Sequence, residues 1–313
     1  MANTRLFLST DVHGAEVTFR KFMNAGKFYN ANIVILAGDL TGKMLIPIVK
    51  NPDGSYTATY MGQEKVAKND QELGALQERI RFSGYYYFET DQAELQRYQS
   101  GELDINAKFK EQVAVVIERW IDMIEKHLQG TGIRCFMMPG NDDDPIVDPI
   151  IAKSDYVINP ANEILRLDDH HEMISIPNSN MTPWKCPRDI PEEELQTRIE
   201  TLTSKVTDMK NCVFNIHVPP YGTGIDLAPL LDAELHPQAG QMIPVGSKAV
   251  LEAMKKYQPL LGLHGHIHES RGAVKVGRTV CINPGSEYAE GLLHGAVVNL
   301  SEKGLKSYNL TQG

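Results

Sequence analysis

The sequence predicts an α/β fold, and three observations carry that prediction. The chain opens strand–helix–strand: Thr4–Thr10 is a strand-like run, Ala15–Ala25 places Val17, Phe19, Phe22 and Met23 at helical spacing, and Ala31–Ala37 is strand-like again. Such alternation predicts parallel pairing through a right-handed crossover. Apolar runs also end, five times, in short polar motifs. Leu6-Phe7-Leu8 leads to Asp11-Val12-His13, and Ile33 to Leu36 leads to Gly38-Asp39-Leu40. Ile133 to Met138 leads to Gly140-Asn141-Asp142, Val213 to Ile216 to His217, and Leu260 to Leu263 to Gly265-His266-Ile267-His268. Beyond residue 160, hairpin signals mix with helical ones, which predicts a second, partly antiparallel sheet.

The remaining elements follow in chain order. An insertion interrupts the pattern over about 42–103. It opens with a hairpin signal, Ile46 to Val49 and Tyr56 to Tyr60 around the turn residues Asn51-Pro52-Asp53-Gly54. Gln63 to Phe82 is charged and helix-compatible, and Gly84 to Phe88 is an aromatic knot. The insertion is a candidate for edge packing, for a cap over a site, or for contact with a second copy of the chain. Ile105–Leu128 is a long amphipathic helix. Asp144-Pro145 is an N-cap followed by proline at the first helical position, so a short helix should start there. Ile164–Leu167 and Glu172–Ile176 form a hairpin, Pro191–Met209 a helix with an acidic first turn, and Gly246-Ser247 precedes a helix to Lys256. Ala273–Val276, Thr279–Ile282, Ala296–Leu300 and Leu305–Tyr308 are strands.

Composition narrows the class. The 313 residues are 42% hydrophobic, enough for a buried core, and are expected to form one domain over 1–313. A formal charge of −9 and the absence of a Lys/Arg cluster disfavour nucleic acid as a partner. They do not exclude a small phosphorylated substrate, because bound cations reverse the local field. Cys135, Cys186, Cys212 and Cys281 lack metal-knuckle or CxxC spacing. Reduced, cytoplasmic residence and no membrane contact are the expectation, since no apolar stretch reaches spanning length.

The motifs carry the chemistry. Side chains just past the strand ends of an α/β sheet converge on one rim. A rim offering Asp11, His13, Asp39, Asn141, His217, His266 and His268 supplies mixed nitrogen and oxygen donors, which suit Mn, Fe, Zn or Ni. His264 should point away from where His266 points, by strand alternation. His127, His170, His171, His236 and His294 read as surface or loop histidines, and Asp143 and Asp144 as loop and cap residues. Gly222-Thr223-Gly224 and Arg271 are candidate phosphate contacts.

Five such motifs in this order resemble the calcineurin-like metallophosphoesterase superfamily. Met138-Pro139-Gly140-Asn141-Asp142-Asp143, Gly265 to Gly272 and Asn283-Pro284-Gly285-Ser286 are most similar to its prokaryotic Icc-related predicted phosphoesterases. The resemblance implies a four-layer α/β/β/α sandwich of two mixed sheets. It also implies two divalent metals: Asp11, His13 and His268 on one, Asn141, His217 and His266 on the other, and Asp39 bridging. The reaction it implies is hydrolysis of a phosphoric ester by in-line attack of a metal-bridging hydroxide, with Asp39, Asn141, Asp142 and His217 as the catalytic positions.

One position departs from the family. Many members carry histidine where this chain has Asp142, and that histidine is assigned to protonating the leaving group or holding the phosphate. A carboxylate ordinarily titrates near ~3.9 and is a poor proton donor at neutral pH. Phosphodiesters are therefore the expected substrates in preference to monoesters. A non-catalytic scaffold on the same fold, and a nuclease, are the competing readings.

Overall fold

The computed structural model describes residues 4–313. Two six-stranded mixed sheets face each other. In the first, Thr4–Ser9, Ile33–Ala37, Arg134–Met138 and Val157–Ile158 run parallel. His294–Ser301 then adds antiparallel to Thr4–Ser9, and Gly304–Gln312 adds antiparallel to His294–Ser301. In the second, Glu172–Ile176, Cys212–Ile216, Leu261–Leu263 and Thr279–Asn283 run parallel. Ile164–Arg166 and Gly272–Val276 form its antiparallel edges.

Strand alternation decides what fills each layer. Leu6 and Leu8 point between the sheets with Ile33, Ile35 and Phe136, where they meet Met173, Val213, Leu263 and Ile282 of the other sheet. Phe7, Val34 and Leu36 point the other way, onto the helices Glu16–Phe28 and Ile105–Leu128. Ile174, Ile176, Phe214 and Ile216 likewise meet the helices Glu192–Thr203 and Lys248–Tyr257. The result is a four-layer α/β/β/α sandwich, the metallophosphoesterase fold.

The helix Ile105–Leu128 shows how sequence sets these layers. Asp104 caps it by accepting from Asn106 N at 2.8 Å. Val113, Val116, Ile117, Trp120, Ile121, Ile124 and Leu128 then form one buried stripe. Phe19 of the neighbouring helix stacks on Trp120 with ring centroids 3.9 Å apart and planes within 6°.

Several segments differ from the sequence-based expectation. The insertion is more than a hairpin and a helix. Leu45–Lys50, Tyr56–Tyr60, Gln63–Ala67 and Tyr86–Asp91 form a four-stranded sheet, with helices Asp70–Phe82 and Gln92–Gln99 packed beside it. The helix expected after Asp144-Pro145 begins at Val147, and Asp144 instead closes a turn by accepting from Ile146 N. The helix expected over Pro191–Met209 ends at Thr203. A projecting hairpin, Leu227–Leu231 with Pro237–Pro244, has no counterpart in the expectation. No helix among the described residues is long and apolar enough to cross a membrane.

Candidate metal centre

The parallel strands of both sheets end at one rim, and the polar motifs follow those ends directly. The turns are tight. Asp11, His13, Asp39 and His266 all have positive φ, between 40° and 67°. Non-glycine residues hold that conformation at roughly 1 kcal/mol or more each, and such strain collects at functional sites. Gly140 serves the site differently. A Cβ there would overlap Asp39 Oδ1, so the two loops approach this closely only with glycine.

The structure brings the candidate side chains together in two groups that share one carboxylate. Ligand atoms of Asp11, His13, Asp39 and His268 lie within 4.8 Å of one another, and so do those of Asp39, His217 and His266. His13 Nε2 is 3.1 Å from His268 Nε2 and 3.6 Å from Asp39 Oδ2. His217 Nε2 is 3.4 Å from Asp39 Oδ1 and 3.8 Å from Asp11 Oδ1. Asn141 stands beside them, its Nδ2 donating to Asp189 Oδ1 at 2.9 Å. A carboxylate only accepts, so this bond fixes the amide orientation and leaves Oδ1 free.

The donor set fits divalent cations on its own chemistry. His13 Nδ1, Asn141 Oδ1 and His217 Nε2 are buried without a hydrogen-bond partner among the described residues. His217 Nδ1 donates to Ala37 O at 3.0 Å, which directs Nε2 at the carboxylates. Burial works against charge on His217, but Asp39 and Asp11 outweigh it and raise its pKa to about 9. A proton thus holds the place a cation would take, and the two compete. Burial pushes His13 well below its ordinary value and His266 down to about 3, so both rings are neutral, as ligation requires. On Asp11, burial is outweighed by its hydrogen bond to His268 and by the nearby imidazoles, which hold the carboxyl well below the usual carboxylate range.

Other side chains hold this arrangement, and several were not legible in the sequence. Asp143, expected as a loop residue, is fully buried. Its carboxylate accepts from Leu40 N, Thr41 N, Thr41 Oγ1 and Gly140 N at 2.6–2.9 Å, binding the Asp39 loop to the Asn141 loop. Asp189 also accepts from Thr182 and Cys186, which steadies its grip on Asn141. Lys43 Nζ is 2.8 Å from Asp142 Oδ2, itself 3.8 Å from His13 Nδ1. Burial opposes the Lys43 charge, but Asp142 more than offsets this and raises its pKa. Tyr288 packs its ring 4.8 Å from that of His13 and 5.9 Å from that of His268.

Some candidates lie elsewhere or are otherwise engaged. His264 is buried outside both groups, donating Nδ1 to Ile216 O at 2.8 Å. His171 and His294 are both buried: His171 lies in a loop as expected, its Nδ1 2.8 Å from Asp168 Oδ1, whereas His294 opens the strand His294–Ser301. The amides of Gly222, Thr223 and Gly224 are not available to a phosphate, because all three donate to the Asp226 carboxylate. Asp232, Glu234 and His236 form a third, largely exposed group in the loop of the hairpin Leu227–Leu231 with Pro237–Pro244. Arg271 lines a cavity beside His268.

No family model matches the chain. The uncharacterised protein MJ1162 of Methanocaldococcus jannaschii is 29% identical over 168 residues, covering 52% of this chain and 70% of that protein. Among solved structures, TT1561 of Thermus thermophilus superposes with a TM-score of 0.55 at 12% identity, over 100% of this chain and 99% of that one. Another crystal structure reaches a TM-score of 0.59 at 14% identity over 99% of both chains. Fold and motif order agree: the chain resembles the calcineurin-like metallophosphoesterases in both.

Proposed function

We propose that the protein is a metal-dependent phosphoric ester hydrolase with a binuclear centre, acting on phosphodiesters in preference to monoesters. Asp11, His13, Asp39 and His268 would hold one divalent cation. Asp39, Asn141, His217 and His266 would hold the second. The observation that carries this reading is the sharing of Asp39 between the two groups. A carboxylate has two oxygens with lone pairs, so one side chain can serve two cations. Bound cations would supply Lewis acidity, acidifying water and absorbing charge on the phosphoryl oxygens.

The chain's own residues contribute the rest. Asp189 and Ala37 O orient the Asn141 amide and the His217 ring, so that neither has to reorganise during reaction. Lys43 places an ammonium at the rim, available to a non-bridging phosphoryl oxygen. Asp142 stands paired with Lys43, so the histidine that the family resemblance would set beside a leaving group is missing at this position. That favours esters with good leaving groups, and diesters over alkyl monoesters.

Asp39→Asn tests the reading. Metal content of the purified protein should fall at both positions, because the shared charge is lost. Hydrolysis of bis-p-nitrophenyl phosphate should fall by roughly 10²-fold or more, the scale felt on losing one charge-stabilising group. Unchanged hydrolysis would sink the assignment. A fully metal-loaded wild type that cleaves no diester, monoester or nucleic acid would favour the scaffold reading.

A further inference from the structure

A cavity of about 520 Å³ opens beside His268, walled by residues 268, 269, 271, 286–290, 294 and 312. Its size falls within the range of small-molecule sites, about 300–1,000 Å³. It adjoins the candidate centre, since His268 lines it and Tyr288, also in its wall, packs against His13 and His268. A phosphoryl group alone would not fill it.

The walls define what fits. Glu269, Glu287 and Glu290 face a single guanidinium, Arg271, so a second phosphate or carboxylate on the ligand would be repelled. Ala289 is the one aliphatic side chain in the lining, which gives an acyl chain nothing to bury against. Carboxylates accept hydrogen bonds well from hydroxyl groups. His294 braces one of these carboxylates. It is 7% exposed, and its Nε2 lies 2.9 Å from Glu287 Oε2. A carboxylate only accepts, so Nε2 donates, which holds the Glu287 carboxylate in place. The ring's Nδ1 is buried with no partner among the described residues. Tyr288 supplies an aromatic face between the cavity and the His13–His268 pair.

We infer that this cavity binds the alcohol portion of the ester, and that this portion is an uncharged, polyhydroxylated group of the kind a sugar, a ribose or glycerol presents. The inference rests on the proposed phosphoesterase reading, from which it takes the position of the phosphoryl group.

Calorimetric titration of the full chain, loaded with Mn²⁺, separates the two ideas. The probes are methyl, n-butyl, glycerol 3- and ribose 5-phosphate, which share one phosphate and differ in the alcohol. Glycerol or ribose phosphate should bind roughly tenfold or more tightly than methyl phosphate, and butyl phosphate should gain nothing. The tighter of the two polyols tells a short chain from a ring. His294→Leu should abolish the preference while leaving methyl phosphate affinity within about twofold. Glu287→Leu, at a more exposed position, should do the same should the first variant fold poorly. Equal affinity for all four probes, or tighter binding of butyl phosphate, overturns the cavity assignment and leaves the phosphoesterase reading standing. Binding of none of the four overturns the cavity assignment, and the phosphoesterase reading then stands or falls on bis-p-nitrophenyl phosphate hydrolysis.

Discussion

Under the proposed reading Asp142 stands where a phosphoryl group would approach, with Lys43 Nζ 2.8 Å from its Oδ2. Both side chains are partly exposed, so the pair adds little to stability, and its weight falls on the substrate. Lys43→Gln should raise KM for a dianionic monoester several-fold more than for a monoanionic diester, with kcat changed less. An equal rise for both would show that Lys43 does not face the phosphoryl group. Asp142→His tests the missing proton donor. Turnover of alkyl monoesters should rise, up to the roughly 10²–10⁴-fold that general acid catalysis contributes where it is needed. Nitrophenyl esters should change little. A flat loss across leaving groups would instead mean that Asp142 itself orients the substrate. The seven candidate ligands were legible in the sequence because each is a polar residue set just beyond an apolar run. Lys43, Asp189 and Asp143 were not, because their roles depend on partners far away in the chain that only the fold brings near.

The turns between strand and helix are the elements on which the site depends. Asp143 links two of them, with four donors converging on one buried carboxylate. Burial and the neighbouring Asp39 push its pKa up to about 6, while those donors hold it down. Asp143→Asn keeps the shape but turns an NH₂ group toward N–H donors. A buried donor left without an acceptor costs about 1–3 kcal/mol, so a loss on the order of 2–4 kcal/mol is expected. Chemical denaturation of the metal-free variant measures it, since bound metal would add stability by mass action. A loss below about 1 kcal/mol would show that the loops are held by something else. Element recognition succeeded where periodicity was strong, as in Ile105–Leu128. It failed at Gln63–Ala67, a strand at the edge of the insertion's sheet. Gln63, Glu64 and Val66 are exposed there, so no alternation of apolar residues marks it.

At the scale of the whole molecule, two long-range junctions were invisible in the sequence. The strand His294–Ser301 returns to pair antiparallel with Thr4–Ser9, so the last strands close the sheet that the first one opens. Nothing local to either segment encodes that pairing, because register depends on which faces end up buried. The insertion makes the second junction. Gly42 N donates to Tyr86 Oη at 2.8 Å, and Gly84 lies directly against the backbone of His13. The four-stranded unit is thus fastened against the turn that carries Asp11 and His13. Gly84→Ala should expose this coupling. Gly84 has φ +78°, and an added Cβ would overlap His13 O, so the turn must shift. Metal affinity should fall by roughly tenfold or more, as it does when a group orienting a ligand is lost. Gly74→Ala is the control. It lies in the helix Asp70–Phe82 of the same unit with nothing within 4 Å of an added Cβ, and it should be neutral or stabilise by up to ~1 kcal/mol. If Gly84→Ala binds metal and melts like the wild type, the insertion is an appendage that the site does not feel. If only Gly84→Ala loses metal, the insertion is part of what holds the Asp11–His13 turn in its strained conformation.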